Sequence, residues 1–377
     1  VKIAFYCPNK PLTHPHPSGD QVIAQGIHSA LNRLGHDCRE IVQYRSRWFW
    51  KTWSGWLGAC RACFAALRAV RSFRPQIWMT YHSYYKSPDL IGPWISRQIG
   101  IPYVIFQPMY GTRRRKNAST SLGFRLNRWA LSRSSHVFVN NLSDLEALHR
   151  ILPSGRITYL KPGIDPEAFE RNLEGGRQIR RQFGIPEGRF VILTAARWRE
   201  GVKAESFRYL LGSLVQLKER FPDFALLVVG DGPMEPTLRT AAHSALPGQV
   251  LFAGRVPRHE MFRFYSAADV FVFPGIGESL GMVFLEAQSC GTPVVALNTA
   301  GVPQVVIDSE TGLLVPQDDG QAMSQAIEGL ARDPVRRRML GDSGARFVRL
   351  ERNLHRNYLR LSQQLEVLAF ERVSEDA

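Results

Sequence analysis

The sequence predicts an α/β protein of two Rossmann-like, doubly wound domains facing each other across a cleft. Three observations lead there. A chain of 377 residues is too long for one ordinary core and suits two domains of roughly 150–200 residues each. Apolar runs of strand length alternate with amphipathic stretches of helix length, before and again after an interval rich in Pro, Gly and charge. The halves also differ in charge: residues 1–165 hold 23 Lys and Arg against 7 Asp and Glu, net +16, and the remainder holds 25 against 26. The domains are placed at 1–165 and 166–350, with 351–377 as a C-terminal helix packing back on the first.

The first series opens with a strand over Lys2–Cys7, then an amphipathic helix over Gln21–Leu34 ended by Gly35, then a strand over Cys38–Val42. Ala- and Leu-rich sequence around Cys60 and Cys63 reads as helical. Short apolar strands follow at Gln76–Tyr81 and Tyr103–Phe106, separated by a helix near Leu90–Ile99. A helix over Leu122–Ser132, a strand over His136–Asn140 and a serine-capped helix over Ser143–Arg150 complete it. Lys161–Gly188 reads as a linker with a short helix inside.

The second series predicts strands at Phe190–Ala195, Ala225–Gly230, Val250–Ala253, Val270–Phe273 and Pro293–Ala296. Helices are predicted at Ser206–Phe221, Pro236–Ala245, His259–Ala267, Met282–Cys290 and Gln321–Asp333. In open α/β sheets ligands sit at the carboxyl ends of strands, so the cleft is the default site.

Composition narrows the function classes. At 44% hydrophobic residues the chain is not globally disordered. It has no run of eighteen apolar residues and no visible leader; the scattered cysteines suit a reducing, cytoplasmic setting, and association with the inner face of the cytoplasmic membrane is expected from the basic first half. The five cysteines include Cys60 and Cys63 in a lone CxxC pair, structural or incidental, with redox or metal chemistry as the alternative. The basic first half favours an anionic partner: phospholipid, lipid-linked phosphate, lipopolysaccharide core or nucleic acid. No acidic residue lies between Ile41 and Ser87, where arginines alternate with Trp48, Trp50, Trp53 and Trp56; Arg113–Lys116 adds a further basic run. That pattern suits an interfacial helix on anionic lipid, or a helix packed on the sheet with a basic outer face.

The strongest signal runs from Phe273 to Val295. A strand ends in a glycine-containing loop that feeds a helix, whose N-terminus presents unpaired N–H groups and a positive dipole end. Glu278 precedes this helix and Glu286 lies within it, so two carboxylates can accept hydrogen bonds from sugar hydroxyls. Alone, the pair also suits a helix with a solvated acidic first turn. Arg197 and Lys203 follow the strand over Val191–Ala196; with Arg199 they also suit an exposed basic turn.

With the Cys290–Val295 string behind the two glutamates, the sequence resembles the family 4 retaining glycosyltransferases of the GT-B fold, whose signature is two glutamates separated by seven residues. Pro162–Asp165, Val229–Pro233, Phe252–Val256, Gly301–Pro303 and Thr311–Val315 look like further stretches of that family. The resemblance implies that Glu286 holds the ribose of the nucleotide. Glu278 holds donor-sugar hydroxyls together with the backbone of Ser279, Leu280, Gly281, Met282 and Val283. Arg255 and Val256 contact the base, and Arg197 and Lys203 grip the diphosphate. Gly19 belongs to a loop beside it, though one glycine between strand and helix also suits a simple turn.

Two departures from the pattern matter. Lys203 comes six residues after Arg197, where the family has five, so Arg199 is a candidate to share its task. Gln107 stands where many members carry a histidine near the reacting sugar, and glutamine cannot titrate. His82, after the strand ending at Tyr81, is the other acceptor-side candidate, although a lone histidine is more often structural. The resemblance implies retention by same-face attack, with the leaving phosphate taking the acceptor proton. No metal and no cofactor is expected, since Asp318-Asp319 lies in a Pro/Gly loop. The expected partners are a nucleotide-sugar donor, UDP- or GDP-linked, and an anionic or lipid-linked cell-envelope glycan as acceptor. A sugar-nucleotide epimerase or hydrolase of the same fold is the alternative reading, and a basic nucleic-acid-binding protein a more distant one.

Overall fold

The computed structural model describes residues 1–15, 19–279 and 281–371. Its contacts divide the chain into two units, Val1–Lys161 with His355–Ala377, and Pro162–Leu354. The sequence reading puts the boundaries at 165 and 350, and the difference has a local cause. Ile164 N donates to Arg352 O at 2.9 Å and Leu354 N to Ile164 O at 2.9 Å, so the residues after Lys161 and those before His355 close the same unit.

The first unit runs β1 (Lys2–Tyr6), α1 (Gly19–Arg33), β2 (Asp37–Val42), α2 (Trp53–Phe73), β3 (Ile77–Tyr81), α3 (Ile91–Ile99), β4 (Tyr103–Phe106), α4 (Ala118–Ser132), β5 (His136–Val139), α5 (Leu142–Leu148) and β6 (Ile157–Tyr159). The strands form one parallel sheet in the order β2-β1-β3-β4-β5-β6. β3, β4 and β5 are buried at every position, as strands covered on both faces must be, and this is why they read as continuous apolar runs. α2 seats Ala59, Ala62, Ala66, Val70 and Phe73 inward. The cap of α5 is Asn141, whose side chain accepts from Ser143 N at 2.8 Å; Ser143 is inside the helix rather than capping it. β6 escaped the sequence reading because it is half-buried and lacks the continuous apolar run of a strand covered on both faces.

The second unit runs α6 (Leu173–Gln182), β7 (Phe190–Ala195), α7 (Val202–Arg220), β8 (Phe224–Val229), α8 (Glu235–Ala245), β9 (Val250–Gly254), α9 (Met261–Ala267), β10 (Val270–Val272), α10 (Met282–Ser289), β11 (Val294–Leu297), β12 (Gly312–Val315), α11 (Ala322–Arg332) and α12 (Pro334–Glu351). Its parallel sheet has the order β12-β11-β10-β7-β8-β9. α7 begins at Val202, ahead of the Ser206 predicted, so Lys203 sits in a helical first turn rather than in a loop.

The last helix, α13 (Leu354–Glu371), belongs to the first unit. Tyr358, Leu361, Leu365 and Ala369 are buried on it. Ser362 Oγ lies 2.6 Å from His36 Nε2, and Asn357 Nδ2 donates to Lys161 O at 2.6 Å. Among the described residues no helix is long and apolar enough to cross a membrane.

Candidate functional site

In the second unit the chain goes from β7 outward to β9, then returns to the other side of β7 with β10. Strand order therefore reverses between β7 and β10, and loops leaving the carboxyl ends of these two strands part to leave a crevice. The loop after β7 carries Arg197 and leads to Lys203. The loop after β10 carries Glu278 and leads to α10.

These loops meet through an ion pair between Lys203 Nζ and Glu278 Oε2. The Lys203 ammonium also lies 4.8 Å from the centre of the Phe273 ring. The extra residue between Arg197 and Lys203 thus does not turn the lysine away; the early start of α7 takes it up. The rest of the loop is pinned through its main chain: Ile276 N donates to the Ser206 hydroxyl Oγ at 3.2 Å and Glu278 O accepts from Gly301 N at 2.8 Å. Gly281, the residue before α10, has φ +59°, and a Cβ there would stand 2.5 Å from Phe284 Cδ2. Glycine is required for this entry into the helix. Gly281 offers no side-chain cap to the first amides of α10, and its carbonyl takes up one of them, Phe284 N, at 2.9 Å.

Glu286 is 6% exposed in the second turn of α10. Arg258 donates to Oε1 from Nε at 3.0 Å and Nη2 at 2.8 Å, and Tyr265 OH donates to Oε2 at 3.0 Å. Burial pushes its carboxyl above the ordinary carboxylate range, and the Arg258 charge and both sets of hydrogen bonds oppose that. Both lone-pair sites of Oε1 are thus taken by Arg258, and Oε2 keeps one for a further donor. Sequence reasoning missed Arg258 and Tyr265. Arg258 stands three residues past Arg255 in a turn with nothing in its spacing to single it out, and Tyr265 reads as ordinary core on α9.

Arg197 and Arg199 are exposed after β7, and neither has a carboxylate partner among the described residues. Between them Trp198 is buried, its backbone N–H donating to Asp231 O at 2.9 Å, so alternation along the strand end turns both arginines outward. Arg255 is exposed and Val256 half-buried at the end of β9. Ser279 is exposed, and Met282 and Val283 are half-buried in the first turn of α10. Leu280 and the Pro17-Ser18 stretch lie outside the described residues; Gly19 begins α1. Asp319 Oδ1 accepts from Gln321 N at 2.9 Å and Ala322 N at 3.1 Å, a turn-closing role. Among the described residues no group of three or more His, Cys, Asp or Glu is placed to hold a metal ion.

In the first unit strand order reverses between β1 and β3. His82 and Gln107 directly follow β3 and β4, both in left-handed backbone, φ 61° and 52°. Such residues cost energy that the surroundings must overcome, and they cluster at functional sites. The structure brings the two together. His82 Nδ1 is 3.1 Å from Gln107 O, and Tyr81 OH donates to Gln107 Oε1 at 3.1 Å. A carbonyl only accepts, so Nδ1 carries the proton and Nε2 is the basic nitrogen. Burial lowers the His82 pKa, and the negative charge of Asp20 at the start of α1 opposes this.

The four tryptophans do not share one surface. Trp50 is buried with Phe49 and Ala59, and Trp48 and Trp56 pack against that cluster. Only Trp53 projects, 78% exposed, and Leu57 and Phe64 at 44% and 67% continue its line along α2 beside Arg61, Arg68 and Arg71.

Residues 176–347 match the family model described as glycosyl transferases group 1. A GDP-mannose-dependent alpha-(1-6)-phosphatidylinositol monomannoside mannosyltransferase of Mycolicibacterium smegmatis is 34% identical over 204 residues, 52% of each chain. A D-inositol 3-phosphate glycosyltransferase of Streptomyces avermitilis is 27% identical over 295 residues, 73% of this chain and 62% of that one. The chain thus spans about half the length of the first of these relatives, at 52%. The structure of HepE from Anabaena in complex with UDP superimposes with a TM-score of 0.76 at 16% identity, over 97% of this chain and 100% of that one. That likeness establishes the fold as GT-B. The matched stretch, residues 176–347, carries Arg197, Lys203, Glu278 and Glu286.

Proposed function

We propose that the protein is a retaining glycosyltransferase that moves a hexose from a UDP- or GDP-linked donor to a hydroxyl of an anionic, lipid-linked or cell-envelope glycan. The observation that carries this is the Lys203–Glu278 pair between the strand ends where sheet order reverses. It joins a cation fit for a diphosphate to a carboxylate fit for sugar hydroxyls. Relatives named for GDP-mannose, phosphatidylinositol monomannoside and inositol 3-phosphate support the donor class and an acceptor bearing phosphate.

In the reaction the acceptor oxygen bonds to the anomeric carbon on the face the diphosphate leaves. The carbon–oxygen bond to phosphate breaks, its electron pair stays on the phosphate oxygen, and that oxygen takes the acceptor proton. Negative charge grows on the departing nucleoside diphosphate, so Arg197 and Lys203 act where it develops, each worth on the order of 3 kcal/mol. Glu278 holds donor hydroxyls and aims Lys203. Glu286, kept in place by Arg258 and Tyr265, accepts from the ribose. Arg255 and Val256 offer main chain to the base. His82 and Gln107 take up acceptor-side hydroxyls. These cations do the work without a resident metal or cofactor. The protein works at the inner face of the cytoplasmic membrane, touching it with the Trp53–Phe64 line of α2.

Hydrolysis of a panel of UDP-, GDP- and ADP-sugars without acceptor tests the reading, with GDP-mannose first. Slow release of one nucleoside diphosphate with retained anomeric configuration is expected. No turnover, together with no thermal shift by UDP, GDP or ADP, would refute it.

A further inference from the structure

We propose that the loops after β2, β3 and β4 form a binding site for the phosphate-bearing end of a saccharide. Trp48 offers the ring face, and Arg47, Lys51, Lys86 and Arg114 supply the charge. The inference rests on the transferase reading only in taking that saccharide to be the acceptor.

A groove of about 550 Å³ lies on the loop after β2, lined by Tyr44, Arg45, Arg47, Trp48, Lys51 and Thr52 among others. Trp48 sits at its edge in left-handed backbone, φ 60° and ψ 20°, an unfavourable conformation for a bulky residue. Its N–H donates to Lys86 O at 2.8 Å. Its ring meets Trp50 at 5.3 Å and the edge of Tyr85 at 6.0 Å. The inner wall is fastened to the loop after β1. Arg45 Nε donates to Asn9 O at 3.0 Å, Ser46 N to Pro8 O at 2.8 Å, and Asn9 Oδ1 receives Tyr84 OH and Ser87 Oγ at 3.4 Å each. Three loops thus hold Trp48 and its neighbours in one arrangement.

Charge is the second observation. Lys51 Nζ stands 4.1 Å from the centre of the Trp48 ring; Lys86 Nζ and the Arg114 guanidinium stand 5.6 Å and 4.9 Å from that of Tyr85. Among the described residues none of Arg47, Lys51, Lys86 or Arg114 has a carboxylate partner, and the chain offers no acid between Ile41 and Ser87. A ring face eases a cation by about 0.5–1 kcal/mol at an exposed site without neutralising it. Gathering like charges beside a preset indole costs energy that a phosphate group would return. The part of the indole that Lys51 does not cover suits the C–H edge of a pyranose. A neutral sugar would not need the cations, and a bare phosphate would not need the ring. The site would decide which acceptors are accepted.

The test is calorimetric titration of the full chain with glucose 6-phosphate, glucose and inorganic phosphate, beside co-sedimentation with phosphatidylcholine vesicles with and without phosphatidylglycerol. Glucose 6-phosphate should bind more tightly than glucose or phosphate. The double variant Arg47→Ala/Lys51→Ala should raise its Kd about tenfold, and Trp48→Ala should weaken glucose 6-phosphate but not inorganic phosphate. With the α2 contact removed by Trp53→Ser and Phe64→Ser, loss of the remaining anionic-vesicle binding on adding the double variant would identify a lipid-linked phosphate; unchanged remaining binding would identify a water-soluble one. Equal affinity for glucose and glucose 6-phosphate, or an unchanged Kd in the double variant, would overturn the proposal. So would tighter binding of a single-stranded oligonucleotide than of the sugar phosphate. UDP and GDP are titrated on the same samples: a wild-type protein that binds neither defeats the transferase reading, while the glucose 6-phosphate result still judges this site.

Discussion

At the scale of single residues, the donor region divides into two bonded groups, Lys203 with Glu278 and Glu286 with Arg258 and Tyr265. Lys203→Ala should lower donor hydrolysis about a hundredfold, since it removes a cation placed for the leaving diphosphate. Arg199→Ala should change it by no more than about twofold. Equal losses in steady-state rates would return Arg199 to the role its position in sequence suggested. Arg258→Ala leaves a buried carboxylate with Tyr265 as its remaining partner. The cost should be about 1–2 kcal/mol, less than for a fully buried pair because the Arg258 side chain is 55% exposed. It should also depend on pH. Burial already raises the Glu286 carboxyl and Arg258 holds it down, so the variant's folded state keeps that proton to a higher pH than the unfolded chain does. Stability is then fully present below the ordinary carboxylate range and lost as pH rises through the raised value. The deficit in Tm should therefore be larger at about pH 8 than at about pH 5, and an equal deficit would show that Glu286 does not titrate this way.

At the scale of elements, the strands and helices were legible because most are long and continuously apolar or clearly amphipathic. Glu278 and Glu286 were legible because they are close in sequence to the helix start that places them. What escaped depends on distance along the chain. Arg258 reaches Glu286 and Asp20 faces His82 only after the sheets form, and β6 is half-buried, without the continuous apolar run that marks the equally short β10. The tryptophans were misread as one group because residues of one type look alike until packing sorts them: Trp50 is core and Trp53 is surface. α2 is both of the helices that its sequence suggested, seated on the sheet by alanines and outwardly apolar and basic. Trp53→Ser with Phe64→Ser should leave Tm within about 1 °C, since both rings are mainly in water. Recovery with phosphatidylglycerol vesicles should fall severalfold. Unchanged co-sedimentation would remove α2 from any membrane contact.

At the scale of the molecule, one unit is a single stretch of chain and the other is two. Nucleotide should act on the continuous one alone. In calorimetry, GDP or UDP at about a hundred times its Kd should stabilise the second unit by about 2.7 kcal/mol and leave the transition of the first unmoved. A shift in the first transition instead would move nucleotide binding out of the second unit. Removal of α13 should have the converse effect: the first unit loses Tyr358, Leu361 and Leu365 from its core and becomes the part cut by limited proteolysis. An unchanged digestion pattern would mean that α13 is dispensable.

The return of α13 also bears on how the protein is made. Residues 1–161 emerge from the ribosome first but lack the helix that completes them until His355 and its successors follow. At about 5–20 residues per second, roughly ten to forty seconds separate Lys161 from His355. In that interval the whole of the second unit can emerge and fold, so the half that is read first is finished last. Until then a basic, tryptophan-rich intermediate is exposed to chaperones and to whatever anionic surfaces lie near the ribosome.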